Sequence, residues 1–234
     1  MKRTLTFVKL TPVGRPLHTS VTVREFVRGI RDAIIGLRNL HEKNIVHGDV
    51  SAGNIILTRP DQRGVTNGIL IDLDMSSLRE NENEKDLPRS ITGTTRYMAL
   101  ELLQAIAQKQ TSLKQTYRHD LESCFYVLIV GCVSHGAKSI PKHIEKWSSN
   151  DSDTCVQSKE YDLKYFEFRI INAFLPQFEG VKELAWNLRR ILFGEKGLEF
   201  GSPMDPNILY DPIIKAFDGT IEKLEGKIFL PQIF

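Results

Sequence analysis

The sequence predicts a mostly helical α+β domain, in which a few short strands accompany a larger body of helices. Three observations support this prediction. Residues 22–43 place apolar side chains at the three-and-four spacing of an amphipathic helix. Residues 119–133 are apolar on all sides after the first turn, as expected for a helix enclosed by others. Residues 54–58 and 68–73 are short, β-rich runs joined by turn-forming residues, which predicts a hairpin.

Composition and charge exclude several classes of protein. The chain has 234 residues, 41% hydrophobic and 26% charged, which is typical of a globular domain or a domain with an appendage. The net charge of +2 is too small and too evenly spread to indicate nucleic acid or an anionic membrane as a partner. Three cysteines without a C-x-x-C pair indicate neither a disulfide scaffold nor a zinc module. With no apolar run of membrane-spanning length, we expect a soluble intracellular protein, cytoplasmic or nuclear.

The remaining elements follow in order along the chain. Residues 4–10 are rich in β-branched and aromatic side chains and predict a strand entering a connector. Thr22 and Glu25 have the spacing of a capping box at the start of the first long helix. Residues 79–90 lack apolar periodicity and are predicted to be a mobile surface segment. Further helices are predicted at 99–110, 161–175, 181–193 and 211–224, with a polar loop at 138–154.

Four short segments carry candidate chemistry, and their order is more informative than any one of them. They are HGDVSAGN at 47–54, DLD at 72–74, GTTRYMALE at 93–101 and Asp120 at the head of the apolar helix. Taken alone, the first segment could be a loop histidine, a turn former and a helix cap, and Asp120 could be the N-cap of its helix. The collinear order of all four segments favours a catalytic site over these structural interpretations.

This order resembles the catalytic half of the protein kinases, and the amino-acid sequences of the segments are most similar to those of the fungal-type protein-kinase-like family. The stretches that carry the resemblance are TPVGRPL, HGDVSAGNI, LIDLD, TGTTRYMALELL and HDLESCFYVL. The resemblance spans residues 4 to 193. It implies a protein-kinase-like large lobe with a small β-hairpin at the catalytic loop, and transfer of the ATP γ-phosphate to serine or threonine of a protein substrate.

The resemblance also implies boundaries within the chain. Residues 1–17 would hold the last strand of the small lobe and the hinge, and residues 18–234 the large lobe. Within the large lobe it implies a catalytic loop at 47–54, an activation segment at 72–101 and a central helix at 119–133. No G-x-G-x-x-G motif precedes the catalytic loop, so the small lobe is expected to be essentially absent from these residues.

By resemblance, the catalytic residues would be Asp49, Asn54, His47 and Thr94. Asp49 would orient the substrate hydroxyl and accept its proton, His47 would brace the loop, and Thr94 would place a hydroxyl beside Asp49. Glu101 would form an ion pair with a late arginine, either Arg189 or Arg190.

The cofactors implied are ATP and Mg²⁺, held by three positions. Asn54 and Asp72 would be the Mg²⁺ ligands, since both offer the hard oxygen atoms that this ion prefers. Ser51 would lie near the γ-phosphate, at the position where the kinases usually have a lysine. That exchange removes a positive charge from the expected nucleotide site.

Other departures from the kinase pattern weaken the expectation of turnover more than that of fold. Gly48 replaces the arginine that usually captures a phosphorylated activation loop, so such a switch is not expected. Asp74 and Leu100 stand where a glycine and a proline are usual. By the same resemblance, the phosphate-covering glycine loop and the small-lobe lysine with its partner glutamate are missing here, and Ser51 replaces a lysine. We therefore expect no robust kinase activity from residues 1–234 alone. We also expect an exposed hinge face around Leu57, Leu70 and Ile71 that a partner would cover.

Three alternatives to a protein kinase share some of these features. A non-catalytic kinase-like binding module, or a gene fragment, has the same motifs without turnover, which makes the chain a pseudokinase candidate. The aminoglycoside and choline kinases share HGD and I-D-x-D but lack the G-T-x-x-Y-M-A-x-E segment, which favours a protein substrate. A metal phosphohydrolase built on His119 and Asp120 would need further His and Asp ligands that the sequence does not offer.

Overall fold

The computed structural model describes residues 13–61, 67–78, 91–110, 113–137, 139–194, 198 and 200–224. The strand predicted at 4–10 and the mobile segment predicted at 79–90 lie outside the described residues. The described strands are β1 Gly14–Pro16, β2 Ile45–Val46, β3 Ile55–Thr58, β4 Gly68–Leu70 and β5 Ser77–Leu78. The described α-helices are α1 Val23–Glu42, α2 Leu100–Ala107, α3 Tyr117–Ser134, α4 Lys142–Glu145, α5 Ser152–Lys164, α6 Phe166–Arg169, α7 Lys182–Phe193 and α8 Asn207–Lys223. Helix thus predominates over strand among the described residues, as predicted.

The first long helix forms where the apolar spacing predicted it. Thr22 Oγ1 accepts the Glu25 N–H at 3.0 Å, and the Glu25 carboxylate accepts the Val21 N–H at 2.7 Å. The hydroxyl half of the capping box is therefore present, while the carboxylate reaches one residue further back than expected. The apolar stripe of α1 is buried, and it contacts α3, α8 and the strands.

Helix α3 lies at the centre of the helical body. Every residue of α3 except Gly131 and Ser134 is buried, including Cys124 and Cys132, and α3 packs against α1 and α7. The helix begins at Tyr117, two residues earlier than predicted, with Thr116 at its N-cap. Asp120 is therefore inside the first turn, and its interpretation as the N-cap is wrong, because Thr116 is the N-cap residue.

The predicted hairpin, β3 with β4, is present as two strands of a three-stranded antiparallel sheet. β3 pairs with β4 in the register Ile55↔Leu70 and with β1 in the register Gly14↔Thr58, giving the order β1-β3-β4. β4 ends at Leu70 rather than at residue 73. A separate pair, β2 with β5, is also antiparallel.

The sheet lies directly on α1 through a contact between two glycines. A Cβ added to Gly68 would lie 2.1 Å from Gly29 O, so no side chain fits between the two backbones. This close approach buries Leu57, which is 1% exposed beside Leu17 and Gly29. The exposed hinge face expected around Leu57 is therefore wrong at that residue, while Leu70 and Ile71 are half-buried.

The polar loop expected at 138–154 is also corrected in part. It contains α4, a turn of 3₁₀-helix at Lys146–Ser148 and the first residues of α5. Ile144 and Trp147 are fully buried, and Ile140 packs against the same core. These three apolar residues have helical spacing, but the charged and polar residues around them obscured that spacing in the sequence.

No helix within the described ranges is long and apolar enough to cross a lipid bilayer.

The helices near the C-terminus agree with prediction in position and differ at their ends. The helix predicted at 161–175 is divided between the end of α5, the short α6 and a 3₁₀ turn at Ile171–Ala173. The helix predicted at 181–193 is α7, and the helix predicted at 211–224 begins earlier, at Asn207. All three regions contribute to the core shared with α3.

We expect Gly131→Ala to destabilise the fold, because its Cβ would lie 2.1 Å from Cζ of Phe26 on α1. Overpacking of this kind costs about 1–3 kcal/mol of unfolding free energy. Gly219→Ala on α8 is the matched control, since its Cβ would have no neighbour within 4 Å. Urea unfolding should show the control unchanged or stabilised by up to about 1 kcal/mol. Equal stability of the two variants would contradict the packing of α1 on α3.

Candidate functional site

The loop between β2 and β3, which contains the HGD segment, is fixed to α3 by one buried carboxylate. Asp120 Oδ2 accepts the His47 N–H at 2.9 Å, and its Oδ1 accepts the Gly48 N–H at 3.0 Å. Burial raises the pKa of Asp120, while the two N–H donors favour the charged form. The central helix thereby determines where the loop backbone lies.

Gly48 adopts a backbone conformation that disfavours other residues. Its φ is +85°, in the left-handed region, and a Cβ at this position would lie 2.9 Å from Met75 O. Its carbonyl accepts a hydrogen bond from Gln115 Nε2 at 2.9 Å. A larger side chain at position 48 would therefore be strained in this backbone conformation.

His47 connects the loop to the residues that follow β4. Its ring is fully buried, with Nε2 3.1 Å from Ile71 O and Nδ1 3.3 Å from the Asp49 nitrogen. Donation from the Asp49 N–H to Nδ1 requires the ring proton to be on Nε2, which then donates to Ile71 O. One neutral tautomer satisfies both contacts.

The structure brings Asp49, Thr94 and Asn54 together. Asp49 Oδ1 accepts both the Thr94 N–H, at 2.7 Å, and the Thr94 hydroxyl, at 2.8 Å. Asn54 Nδ2 donates to Asp49 O at 2.7 Å and is 3.4 Å from Asp49 Oδ2. Thr94 is exposed and Asp49 half-buried, so this group of side chains is open to an incoming molecule.

Asp72 lies next to this group along the backbone, but its side chain is directed differently. Ile71 N–H donates to Asn54 O at 2.9 Å, so the pairing of the hairpin continues one residue beyond β4. Asp72 then adopts a φ of +69°, and its Oδ1 accepts the Asp74 N–H at 3.4 Å. Asp72 is exposed, and no hydrogen bond among the described residues joins its carboxylate to Asp49 or Asn54.

Ser51 is buried immediately before the 3₁₀ turn at Ala52–Asn54. Its carbonyl accepts the Asn54 N–H at 3.1 Å, which helps to form that turn. Of the predicted cofactor-binding positions, Ser51 is thus the least accessible and Asp72 the most.

The donor atoms available at Asn54 and Asp72 suit Mg²⁺. The Asn54 side-chain nitrogen is used by Asp49 O, which leaves Oδ1 as its ligand atom. Among the described residues the Asp72 carboxylate accepts a single long hydrogen bond. Mg²⁺ is usually held by one or two protein oxygens together with phosphate oxygens and water. Within the described ranges no cluster of three or more His, Cys, Asp or Glu side chains could hold a metal alone. A metal bound at Asn54 and Asp72 would take its remaining ligands from phosphate oxygens or water.

Glu101 does not pair with either of the expected arginines. Its Oε2 lies 2.9 Å from His119 Nε2 on the first turn of α3, and this hydrogen bond lowers the pKa of Glu101. Arg189 Nε donates instead to Leu163 O, and Arg190 to the Asn187 side chain. The expectation is wrong because the first turn of α3 reaches the start of α2, while α7 directs its arginines elsewhere.

Sequence reasoning missed a buried carboxylate that anchors the start of α2. Glu122 on α3 is fully buried and accepts the Leu100 N–H at 2.7 Å, the Tyr126 hydroxyl at 2.8 Å and Arg118 Nη1 at 2.9 Å. The signal was a second acidic residue, after Asp120, at the start of the apolar stretch 119–133. A charge there must be paired and hydrogen-bonded to remain buried.

Lys159 on α5 was missed as well. It is fully buried, and its Nζ lies 2.7 Å from Met98 O and 3.4 Å from Thr95 O. Its partners are backbone carbonyls, which no pattern of side chains in the sequence reveals. Together with Glu122 it fixes the segment between Thr94 and α2.

Comparison with known proteins places these motifs in a family. The family model for fungal protein kinase matches residues 1–132. The chain is 36% identical over 78 residues to the serine/threonine-protein kinase/endoribonuclease IRE2 of Homo sapiens, covering 33% of this chain and 8% of that protein. It is 28% identical over 98 residues to the casein kinase I homolog 2 of Schizosaccharomyces pombe, covering 40% and 21% respectively.

A third similarity extends over more of the chain. The serine/threonine-protein kinase Nek4 of Mus musculus is 29% identical over 204 residues, which is 86% of this chain and 21% of that protein. The matched regions thus make up between 8% and 21% of the length of these three relatives.

We expect Asp120→Ala to destabilise the protein by about 2–5 kcal/mol, because it leaves the buried His47 and Gly48 N–H groups without their acceptor. Urea unfolding measures the loss, and hydrogen exchange at the Gly48 amide should become faster. Ser123→Ala, on the same helix, removes only a bond to His119 O and should cost within about 1 kcal/mol. Unchanged exchange at Gly48 in Asp120→Ala would contradict the anchoring role of this carboxylate.

Proposed function

The chain belongs to the fungal protein kinase family, and from this premise we propose that it is an ATP-dependent phosphotransferase acting on serine or threonine of a protein. The observation that carries the proposal is the Asp49 carboxylate, held at one oxygen by Thr94 and bordered by Asn54. The proposed large lobe is residues 18–234, with the catalytic loop at 47–54, the activation segment at 72–101 and the central helix at 119–133. Residues 1–17 are proposed to hold the last small-lobe strand and the hinge.

The two oxygens of Asp49 have different roles in this proposal. Oδ1 already accepts two hydrogen bonds from Thr94, so it fixes the orientation of the carboxylate. Among the described residues Oδ2 has the single 3.4 Å contact with Asn54, and it is proposed to accept the hydroxyl proton of the substrate. Phosphoryl transfer depends mainly on positioning and charge, so an oriented base of this kind is an appropriate contribution from the protein.

Nucleotide and metal would lie on the Asn54 and Asp72 side of the site. Bound Mg²⁺ supplies positive charge that neutralises the phosphate oxygens during transfer. Asn54 Oδ1 and the Asp72 carboxylate are proposed to hold it, and the contacts of His47 with Ile71 O and the Asp49 N–H keep these two regions adjacent. Ser51 is proposed to border the phosphates, although it adds no charge there.

The loop geometry bears on regulation. An arginine next to the catalytic Asp is what would capture an activation-segment phosphate, and Gly48 offers neither the charge nor the space for one. We propose that the activity of this chain does not depend on phosphorylation of its activation segment.

A second candidate function is a non-catalytic binding module that retains the kinase-like lobe. The observation that favours it is the position of Asp72, which is exposed and makes no hydrogen bond to Asp49 or Asn54 among the described residues. Under this alternative the chain holds a nucleotide or a protein partner without transferring phosphate. Binding and transfer measurements separate the two candidates.

For the phosphotransferase, radiolabelled ATP and a generic protein substrate should give at most weak transfer from these residues alone, and Asp49→Ala should reduce that transfer by about 10²–10⁴-fold, because the variant lacks the general base. Asp153→Ala is the control, since this exposed residue lies in the first turn of α5 and makes no hydrogen bond to Asp49, Asn54 or Thr94 among the described residues. Equal rates in the wild type and Asp49→Ala would contradict the assignment. Nucleotide binding without Asp49-dependent transfer would favour the binding module.

For the metal site, calorimetry should show that ATP binds more tightly with Mg²⁺ than without it. Asp72→Asn should remove most of that difference, because an amide is a weaker ligand than a carboxylate for a hard cation. Asp74→Asn makes the same charge change two residues away and should retain the Mg²⁺ dependence. Wild-type affinity that is the same with and without Mg²⁺ would exclude Asn54 and Asp72 as its ligands.

A further inference from the structure

We propose that Lys159 is a positioning residue for phosphotransfer, whose buried amino group fixes the turn Thr94–Met98 and, through that turn, the Asp49 carboxylate. The inference rests on the proposed phosphotransferase function for its catalytic consequence. Its structural part, the link between Lys159 and Asp49, is testable without any activity. Lys159 is far from Asp49 in the sequence and touches neither nucleotide-side residue, Asn54 or Asp72, by any hydrogen bond among the described residues.

The surroundings of Lys159 are unusual for a lysine. Its side chain is fully buried, and its Nζ lies 3.9 Å from the centre of the Tyr126 ring and 5.5 Å from that of Trp147. The remaining contacts of Nζ are the carbonyls of Met98 and Thr95. Within the described ranges no carboxylate lies within 4.0 Å of Nζ. Burying an ammonium group without an ion pair costs free energy. The hydrogen bonds to the Met98 and Thr95 carbonyls are the interactions that offset this cost.

A continuous series of contacts leads from Lys159 to Asp49. The Tyr97 and Met98 N–H groups both donate to Thr94 O, at 2.8 and 3.0 Å, which closes residues 94–98 into a turn. Lys159 holds one end of this turn at Met98 O. The other end, Thr94, gives both of its donors to Asp49 Oδ1. Release of Met98 O would therefore loosen the turn that orients Asp49.

The charge of Lys159 can change near neutral pH. Burial lowers its pKa to about 7, against the opposing effects of Glu122 on α3 and Cys155 on α5. Of the other titratable groups close to it, Tyr126 has a pKa raised well above its usual range by burial and stays neutral. Tyr97, in the turn itself, interacts with Arg96.

The remaining elements around Lys159 contribute charges that are already paired. Glu101 of α2 bonds to His119, and Asp162 of α5 bonds to Arg169 and to the indole of Trp147. His143 of α4 bonds to a backbone carbonyl. A change in the protonation of Lys159 therefore acts directly on the hydrogen bonds that its Nζ donates to the Met98 and Thr95 carbonyls.

The sign of the pH effect separates positioning from simple stabilisation. Below pH 7 the ammonium makes charge-assisted hydrogen bonds to the carbonyls, and above pH 7 the neutral amine makes weaker ones. The unfolded lysine titrates near 10.5, so lowering the folded pKa makes stability rise with pH between about 7 and 10.5. The hydrogen bonds from Lys159 to the turn Thr94–Met98 therefore weaken as the pH rises above about 7. Between about pH 7 and 10.5 the free energy of unfolding rises, because Lys159 is neutral in the folded state.

The structural part is tested by NMR on the full chain labelled at the lysine Cε and the backbone amides. The Lys159 ¹³Cε resonance and the Thr94 and Met98 amide resonances should titrate with one shared midpoint near pH 7. The amide titrations should disappear in Lys159→Met and persist in Lys164→Met, which removes an exposed lysine from the same helix. Different midpoints for Lys159 and Thr94 in the wild type would overturn the proposal, even if Lys159→Met failed to fold.

The catalytic part is tested by kinetics against pH, once Asp49-dependent transfer has been measured. Below pH 7, kcat of Lys159→Met should be lower than that of the wild type by about tenfold, with an unchanged KM for ATP, because a base displaced by a fraction of an ångström loses rate. The two rates should converge above pH 8, where the wild-type lysine is neutral, while Lys164→Met should match the wild type throughout. Parallel pH profiles for wild type and Lys159→Met would overturn the proposal. Absence of any transfer would reject the phosphotransferase function and leave the NMR result to decide the link.

Discussion

The pair of hydrogen bonds from Asp120 to the His47 and Gly48 amides is the interaction on which the rest of the site depends. It joins α3, the most buried of the described helices, to a loop that has little secondary structure of its own. Because both carboxylate oxygens are used, the loop is held in position and in direction. The contacts of His47 with Ile71 and of Asp49 with Thr94 follow from that placement.

A second set of buried polar groups fixes the backbone of residues 94–101, as Asp120 fixes the backbone of the HGD loop. Glu122 accepts the first amide of α2, and Lys159 donates to the carbonyls just before it. Ionisable side chains within the apolar core thus hold both the HGD loop and residues 94–101 in place. Apolar packing alone is poorly directional, whereas these bonds specify one backbone geometry.

The sequence was sufficient for the features with local signals. The periodicity of α1, the all-round apolarity of α3 and the hairpin composition each predicted an element that the structure contains. The choice of partners was not predictable in the same way. Glu101 bonds to His119 rather than to an arginine because of how α2 meets α3, and Lys159 bonds to carbonyls that have no sequence signature. Such choices are made by tertiary packing, which a single sequence does not display.

The left-handed backbone of Gly48 has a consequence for protein engineering. Restoring the arginine that most kinases have at this position would be the obvious way to install phosphorylation control. The new side chain would instead begin with a Cβ pressed against the Met75 carbonyl, in a conformation that favours glycine. Such a regulatory switch would first require the backbone around Met75 to be redesigned, because the loop at Gly48 and the Met75 carbonyl are in direct contact.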